Sequence, residues 1–285
     1  MTYGEQFLWW IEERYRILKS KEAGAAPPWS SDLTFQTVYF CNVRREDDKV
    51  TRFVRSFYAP FSQHPNLIYN YVFARMINWP ETIQRVGFLT THNPDWLEAM
   101  LEEARLEQSK VWGGAYLITT HGVPMAKAAY LADHVLEAVD KGLGRPSAGG
   151  PHPALPPTLS GLHGLLMQFE GLGSFLAAQI VADLKNTEGH PAKDAPDWWT
   201  FVAHGPGSLR GASWVHYGEI GKITPSSFAS HFQEIRDYVD ARWPESVPRI
   251  CNQDLQNCLC EFDKYMRVST GAGRSKRNYD GQHPR

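Results

Sequence analysis

The chain has 285 residues, 42% hydrophobic and 13% aromatic, with a formal net charge of −2. That composition excludes a disordered chain. It also excludes a protein that grips nucleic acid by bulk positive charge, so any polyanion footprint must be a local patch on a neutral body. Cys41, Cys251, Cys258 and Cys260 match neither a zinc spacing nor a Cys-x-x-Cys redox pair, so free thiols and no metal are expected. No signal peptide, long apolar span or lipidation motif is seen, and a soluble intracellular protein without membrane contact is expected.

Residues 5–20 read as an amphipathic helix, with Phe7, Trp10, Ile11, Tyr15 and Leu18 at helical spacing and Glu12, Glu13, Arg14 and Arg16 mostly outside. Gly24 and Pro27-Pro28 end it. Within 29–52 an apolar run gives way to Asn42, Arg44, Arg45, Glu46, Asp47 and Asp48. Asp47 or Asp48 can cap a helix through Val50, Phe53 and Val54. Arg44 and Arg45 either lie on a solvated face or hold phosphates while a carboxylate orients them. Residues 64–108 predict two or three helices punctuated by Pro65, Pro80 and Pro94, with Asn93-Pro94-Asp95 opening the one that carries Trp96, Leu97, Met100 and Leu101. Residues 111–122, including His121, are the least helical stretch. Helix returns over 124–141 on the stripe Leu131, Val135, Leu136 and Val139, and a Gly/Pro-rich connector spans 142–158.

Residues 159–187 predict two apolar helices joined by Glu170-Gly171-Leu172-Gly173-Ser174. The glycines permit positive φ and close backbone approach. Leu172 is expected to pack inward while the glycines face out. The second helix opens with N–H groups and the positive end of its dipole, which together make a cradle for one phosphate. A helix-hairpin-helix grips a nucleic-acid backbone in this way; an ordinary αα-hairpin has the same pattern.

Further on, Asp197 can cap a short helix carrying Trp198, Trp199 and Phe201, and Gly205-Pro206-Gly207-Ser208-Leu209-Arg210-Gly211 reads as a turn able to present N–H groups and one arginine to an anion. No Gly-x-x-x-x-Gly-Lys-Ser/Thr occurs, which argues against P-loop binding of ATP. Helices are predicted over 225–242 and from about 252 to 268. The second carries Leu255, Leu259, Phe262 and Met266 inside, with Glu261–Lys264 and Asp263–Arg267 paired on a solvated face. The tail 271–285, with Arg274, Lys276 and Arg277, is expected to be flexible or to lie against a polyanion.

The stretches PPWSSD, FCNVRREDDKVTR, QIVADL, DWWTFVAHGPGSLRG and QNCLCEFDKYMR resemble the helical domain associated with 5-hydroxymethyluracil DNA kinases and the related phage amino acid:DNA transferases, the α-glutamyl/putrescinyl-thymine pyrophosphorylases. The resemblance implies an all-α, two-lobed helical fold over 1–285, similar to helix-hairpin-helix DNA glycosylases. It implies hypermodification of thymidine in phage DNA, in the cytoplasm of an infected bacterial host. A pyrophosphate on the 5-methylene of 5-hydroxymethyluracil is replaced by an amine from an amino acid or polyamine, with no cofactor. The implied partners are DNA carrying the modified thymine, the amine donor and a 5-hydroxymethyluracil DNA kinase.

That reaction needs a base flipped out of the stack. It also needs cations and N–H donors for the leaving pyrophosphate, and a carboxylate to deprotonate the amine. Gly171, Leu172, Gly173 and Ser174 are the expected DNA contacts. Arg44, Arg45, Gly205, Gly207, Ser208 and Arg210 are the expected pyrophosphate ligands, with Lys264 a further cation at the reacting centre. Asp183, Asp194 and Asp197 are the candidate bases, with Asp197 preferred because it stands in the matching DWWTFVAHGPGS block. The bends at Leu172 and at Arg210–Gly211 are expected to face one crevice. Two competing expectations are a glycosylase that excises a modified base and a non-catalytic DNA-binding partner of a kinase. Phe175 and Gln179 stand in the hairpin where a bifunctional lyase has its lysine.

Overall fold

The structure, a computed structural model, describes residues 1–107, 110–114, 120, 122–144 and 155–274. His121, most of the 142–158 connector, and Lys276 and Arg277 lie outside the described residues. In chain order the helices are α1 (Tyr3–Glu22), α2 (Leu33–Thr37), α3 (Lys49–Tyr58), α4 (Leu67–Ile77), α5 (Pro80–Val86), α6 (Pro94–Glu107) and α7 (Lys127–Ala129). A π-helical run, Tyr130–Leu136, leads into α8 (Glu137–Leu143), followed by α9 (Leu159–Leu166), α10 (Ser174–Lys185), α11 (Pro206–Tyr217), α12 (Phe228–Asp240) and α13 (Asn252–Ser269). Among the described residues there is no strand, and the fold is all-α. No described helix is long and apolar enough to cross a membrane.

Two compact units divide the chain. The first takes Met1–Asp48 and the chain from Val202; the second takes Lys49–Phe201.

In the first unit, Phe7, Trp10 and Ile11 of α1, Phe232 and Ile235 of α12, and Leu255, Leu259 and Phe262 of α13 share one apolar core with Phe35 and Phe40. The apolar stripe of α1 is rotated from its expected register. Leu8, Arg14 and Ile17 are buried, whereas Tyr15 and Leu18 are half-buried. The segment 205–211 is the start of α11 rather than a turn. Pro206 suits a first helical position, and the Ser208 hydroxyl accepts the Gly205 N–H at 2.9 Å and so closes the helix end. The glycines of this block let α11 lie directly on α13. A Cβ on Gly211 would stand 1.9 Å from the Leu259 carbonyl oxygen, and one on Gly207 would stand 2.3 Å from the Cys260 sulfur.

In the second unit α4 is buried along its whole length. Its Arg75 reaches α10, where Nε and Nη2 bond the two oxygens of the Asp183 carboxylate, and α3, where Nη2 donates to the Thr51 hydroxyl at 3.0 Å. The π-helical run brings Leu131, Val135 and Leu136 inward, and Val139 of α8 follows, on the stripe read from the sequence. The short helix expected after Asp197 is instead a non-helical turn over 196–200.

Candidate functional site

The first unit gathers the charged blocks around an irregular segment, 39–48. From α1, the Arg14 guanidinium donates to the Cys41 carbonyl at 2.9 Å, the Phe40 carbonyl at 3.2 Å and the Asn42 side-chain oxygen. Asn42 donates its own N–H to Asp48 at 3.1 Å and its amide nitrogen to the Asp47 carbonyl at 2.9 Å. From α13, Glu261 accepts from the Cys41 N–H at 2.9 Å and from Lys264 at 2.7 Å, and Lys264 also donates to the Tyr39 carbonyl at 2.9 Å. Burial drives the Asp48 carboxyl up to about 6, against the pull of the Asn42 N–H and of Arg45 and Arg14. Burial also raises the Cys41 thiol. At Lys264 burial lowers the ammonium's proton affinity, but the charge and hydrogen bond of Glu261, together with Cys41 and Cys260, outweigh it and the net shift is upward.

Of the expected pyrophosphate ligands, Arg44 forks onto Asp47 at 2.9 and 3.0 Å. Arg45 is buried and its backbone N–H donates to Asp254 at 3.1 Å. Gly205 and Ser208 bond each other, Gly207 packs on Cys260, and burial pushes the Cys260 thiol up to about 12. Arg210 is placed differently. Its side chain is 37% exposed and donates to Asp263 at 2.9 Å, while Arg267, 29% exposed, donates to the same oxygen at 3.1 Å. Asp263 is buried and its second oxygen has no hydrogen-bond partner. Two half-exposed guanidiniums thus share one buried carboxylate oxygen, leaving a local charge of about +1 and planar N–H edges suited to phosphate. The expectation of a solvated face for these α13 pairs is corrected: Glu261 and Asp263 are both buried.

The remaining candidates lie in the second unit. In the hairpin turn only Gly171 takes positive φ, +79°, and it packs inward; a Cβ there would stand 2.6 Å from Val135. Gly173 faces open space, and Leu172 is buried as expected. The Ser174 carbonyl lies 3.0 Å from His163 Nε2. From residue 159 to residue 184 the chain contains no Lys or Arg.

The 194–201 turn clasps the opposite end of the hairpin. Asp197 accepts from the Leu159 N–H at 2.7 Å and from the Ser160 N–H and hydroxyl at 2.9 and 2.8 Å. Lys185 lies 4.3 Å over the Trp198 ring, and Trp198 Nε1 donates to the Lys185 carbonyl at 2.9 Å. Asp197 therefore caps a helix, but α9 rather than one of its own. It sits at the end of α9 away from the glycine turn, about 12 Å along the axis for 8 residues at about 1.5 Å each. Burial raises its carboxyl, but the bonds from Ser160 and Leu159 outweigh this and hold it below the usual aspartate value. Asp183 is buried in the Arg75 pair, and Asp194 is exposed at the end of a 3₁₀ turn, Pro191–Asp194.

Arg14, and the meeting of Arg210 with Asp263 and Arg267, escaped the sequence reading, although Arg210 itself was an expected pyrophosphate ligand. A signal for Arg14 exists, since it falls at the spacing of Phe7, Ile11 and Ile17, where an apolar residue is due. No group of His, Cys, Asp and Glu able to hold a metal forms among the described residues.

Comparison with known proteins adds one match. The family described as 5-hmdU DNA kinase, helical domain, aligns with residues 2–275. No curated protein and no solved structure matches the chain. Because the match runs nearly end to end through the α1, 39–48, α11 and α13 blocks, this chain belongs to the family of the 5-hmdU DNA kinase helical domain.

Proposed function

We propose that this protein acts on DNA carrying 5-hydroxymethyluracil and replaces a pyrophosphate ester on the 5-methylene with an amine. The setting is thymidine hypermodification of phage DNA in an infected bacterial cytoplasm. The observation that carries the reading is the pair Arg210 and Arg267 converging on Asp263, a preformed clamp for a polyanionic leaving group, in a chain of this family. In the reaction the amine nitrogen attacks the methylene carbon and forms a C–N bond. The C–O bond breaks with its electrons going to pyrophosphate, and the new ammonium gives its proton to a base. Cations at the departing oxygens stabilise charge where it develops.

Among the candidate carboxylates Asp194 alone is exposed. Asp183 is neutralised by Arg75, and the hydrogen bonds on Asp197 make it a weaker base. The α9–α10 hairpin, in this reading the counterpart of the glycosylase helix-hairpin-helix, meets the DNA backbone through Gly173 and its neighbours. Without Lys or Arg over 159–184, its hold rests on N–H groups rather than on ionic contacts.

A second reading is a non-catalytic helical partner that presents DNA to a separate kinase. It is favoured by the structural use of Asp183 and Asp197, which leaves one exposed carboxylate among the three. Incubating the protein with DNA bearing the pyrophosphorylated base and candidate amines separates the readings. Amine-dependent release of pyrophosphate, lost in Arg210→Ala and Arg267→Ala, supports transfer. DNA binding without release supports the partner role, and alkali-labile abasic sites would show excision instead.

A further inference from the structure

A cavity of about 490 Å³ opens in the first unit, built from the C-terminal half of α1 and residues 27–40. That volume falls within the range of small-molecule sites. Neither the clamp nor the hairpin uses it. Two cations, Arg14 and Lys21, stand in its wall, and no Asp or Glu stands among the described lining residues. Lys21 lies 4.3 Å over the ring of Trp29, another lining residue. Phe35 and Phe40 form an apolar wall with ring centroids 5.2 Å apart, braced behind by Trp10 and Tyr265.

Arg14 supplies the second, independent observation. It is 6% exposed, its Nε and Nη2 donate to three acceptors on residues 40–42, and Nη1 has no hydrogen-bond partner. A buried guanidinium N–H without an acceptor is costly. The carboxylates that act on Arg14 electrostatically, Asp48 and Glu261, do not line the cavity, and Glu261 is occupied by Lys264 and the Cys41 N–H. The wall thus combines two cations, with no carboxylate among the described lining residues, and flat apolar surface. It favours a small carboxylate with an apolar body and repels a diamine.

We propose that this cavity is the amine-donor site and that the donor is an amino acid rather than a polyamine, with its carboxylate toward Arg14 and its side chain on the rings of Phe35, Phe40 and Trp29. The word donor rests on the transfer reading; the binding does not. The test is calorimetry on the full chain with the proteinogenic amino acids, the amide of each one that binds, and putrescine. The expected result is binding of at least one amino acid, weakened roughly tenfold or more in its amide, and none of putrescine. Thr37→Trp, which fills the cavity from an exposed lining position, and Lys21→Glu should each weaken that binding by roughly tenfold with unchanged melting temperature. Absence of binding by every amino acid, equal binding of acid and amide, or binding undiminished in Thr37→Trp would overturn the proposal. Amino-acid binding of the expected pattern without any transfer to DNA would sink the transfer reading and leave the cavity standing. Transfer from putrescine untouched by Thr37→Trp would do the reverse.

Discussion

Asp197 closes the first turn of α9 through Ser160, taking both its N–H and its hydroxyl on one carboxylate oxygen while the other takes the Leu159 N–H. A residue 37 positions later in the chain thereby supplies the cap. Loss of such a cap costs about 1–2 kcal/mol. Asp197→Ala should lower stability by about that amount in urea unfolding, and Asp197→Asn by less. Asp194→Asn should leave unfolding unchanged, because Asp194 is exposed.

Arg75 and Asp183 form a buried ion pair joining α4 to α10, with Thr51 bound to the same guanidinium. Removing one partner strands a charge in the interior, at a cost of about 3–5 kcal/mol. Asp183→Asn should therefore unfold at much lower urea concentration than wild type. Arg75→Met combined with Asp183→Leu should recover most of the loss, since no charge is then left buried.

Asp48 sets a pH dependence of opposite sign to that of an ordinary paired carboxylate. Its carboxyl rises from 3.8 to about 6 on folding because burial disfavours the charged form. Between those values the folded chain holds the proton more tightly, so this group's contribution to stability falls as pH rises through the window and stays low above it. Asp48→Asn keeps an acceptor for the Asn42 N–H and removes the charge. Its melting temperature should rise relative to wild type between about pH 4 and pH 6, with the gain retained at pH 7.

Gly211 and Gly164 should respond oppositely to alanine. At Gly211 a Cβ would meet the backbone of Leu259 at 1.9 Å, which cannot yield without separating α11 from α13. Overpacking of this kind costs about 1–3 kcal/mol or more. At Gly164, inside α9, nothing lies within 4 Å, and alanine should stabilise the helix by about 0.4–1 kcal/mol. Thermal melts of the two single variants check both signs.

Much of the helical scaffold was legible in the sequence. The 3.6-residue stripes of Leu255, Leu259, Phe262 and Met266, and of Leu131, Val135, Leu136 and Val139, mark faces that are buried in the fold. Asn93 opens α6 as read, its side chain accepting the Trp96 N–H at 3.2 Å. Tertiary contacts decided the rest. Gly205–Gly211 looks like a turn until α13 supplies the surface on which its glycines lie, and Asp197 looks like a local cap because nothing in the order of residues shows that α9 returns to it. Arg14 reads as a surface charge until the carbonyls of 40–41 and the side chain of Asn42 arrive to satisfy it. Charge pairs on α13 were visible as spacings, but their burial, and the meeting of Arg210 with Asp263, depend on the packing of α11.

The most direct measurement is the mass of the modified nucleoside after DNA bearing pyrophosphorylated 5-hydroxymethyluracil has been incubated with the protein and the proteinogenic amino acids. The account predicts a nucleoside heavier than hydroxymethyldeoxyuridine by one amino acid less water, formed in step with free pyrophosphate and abolished when Arg210 and Arg267 are both alanine. Recovery of only the starting base from a folded, DNA-bound protein would contradict it.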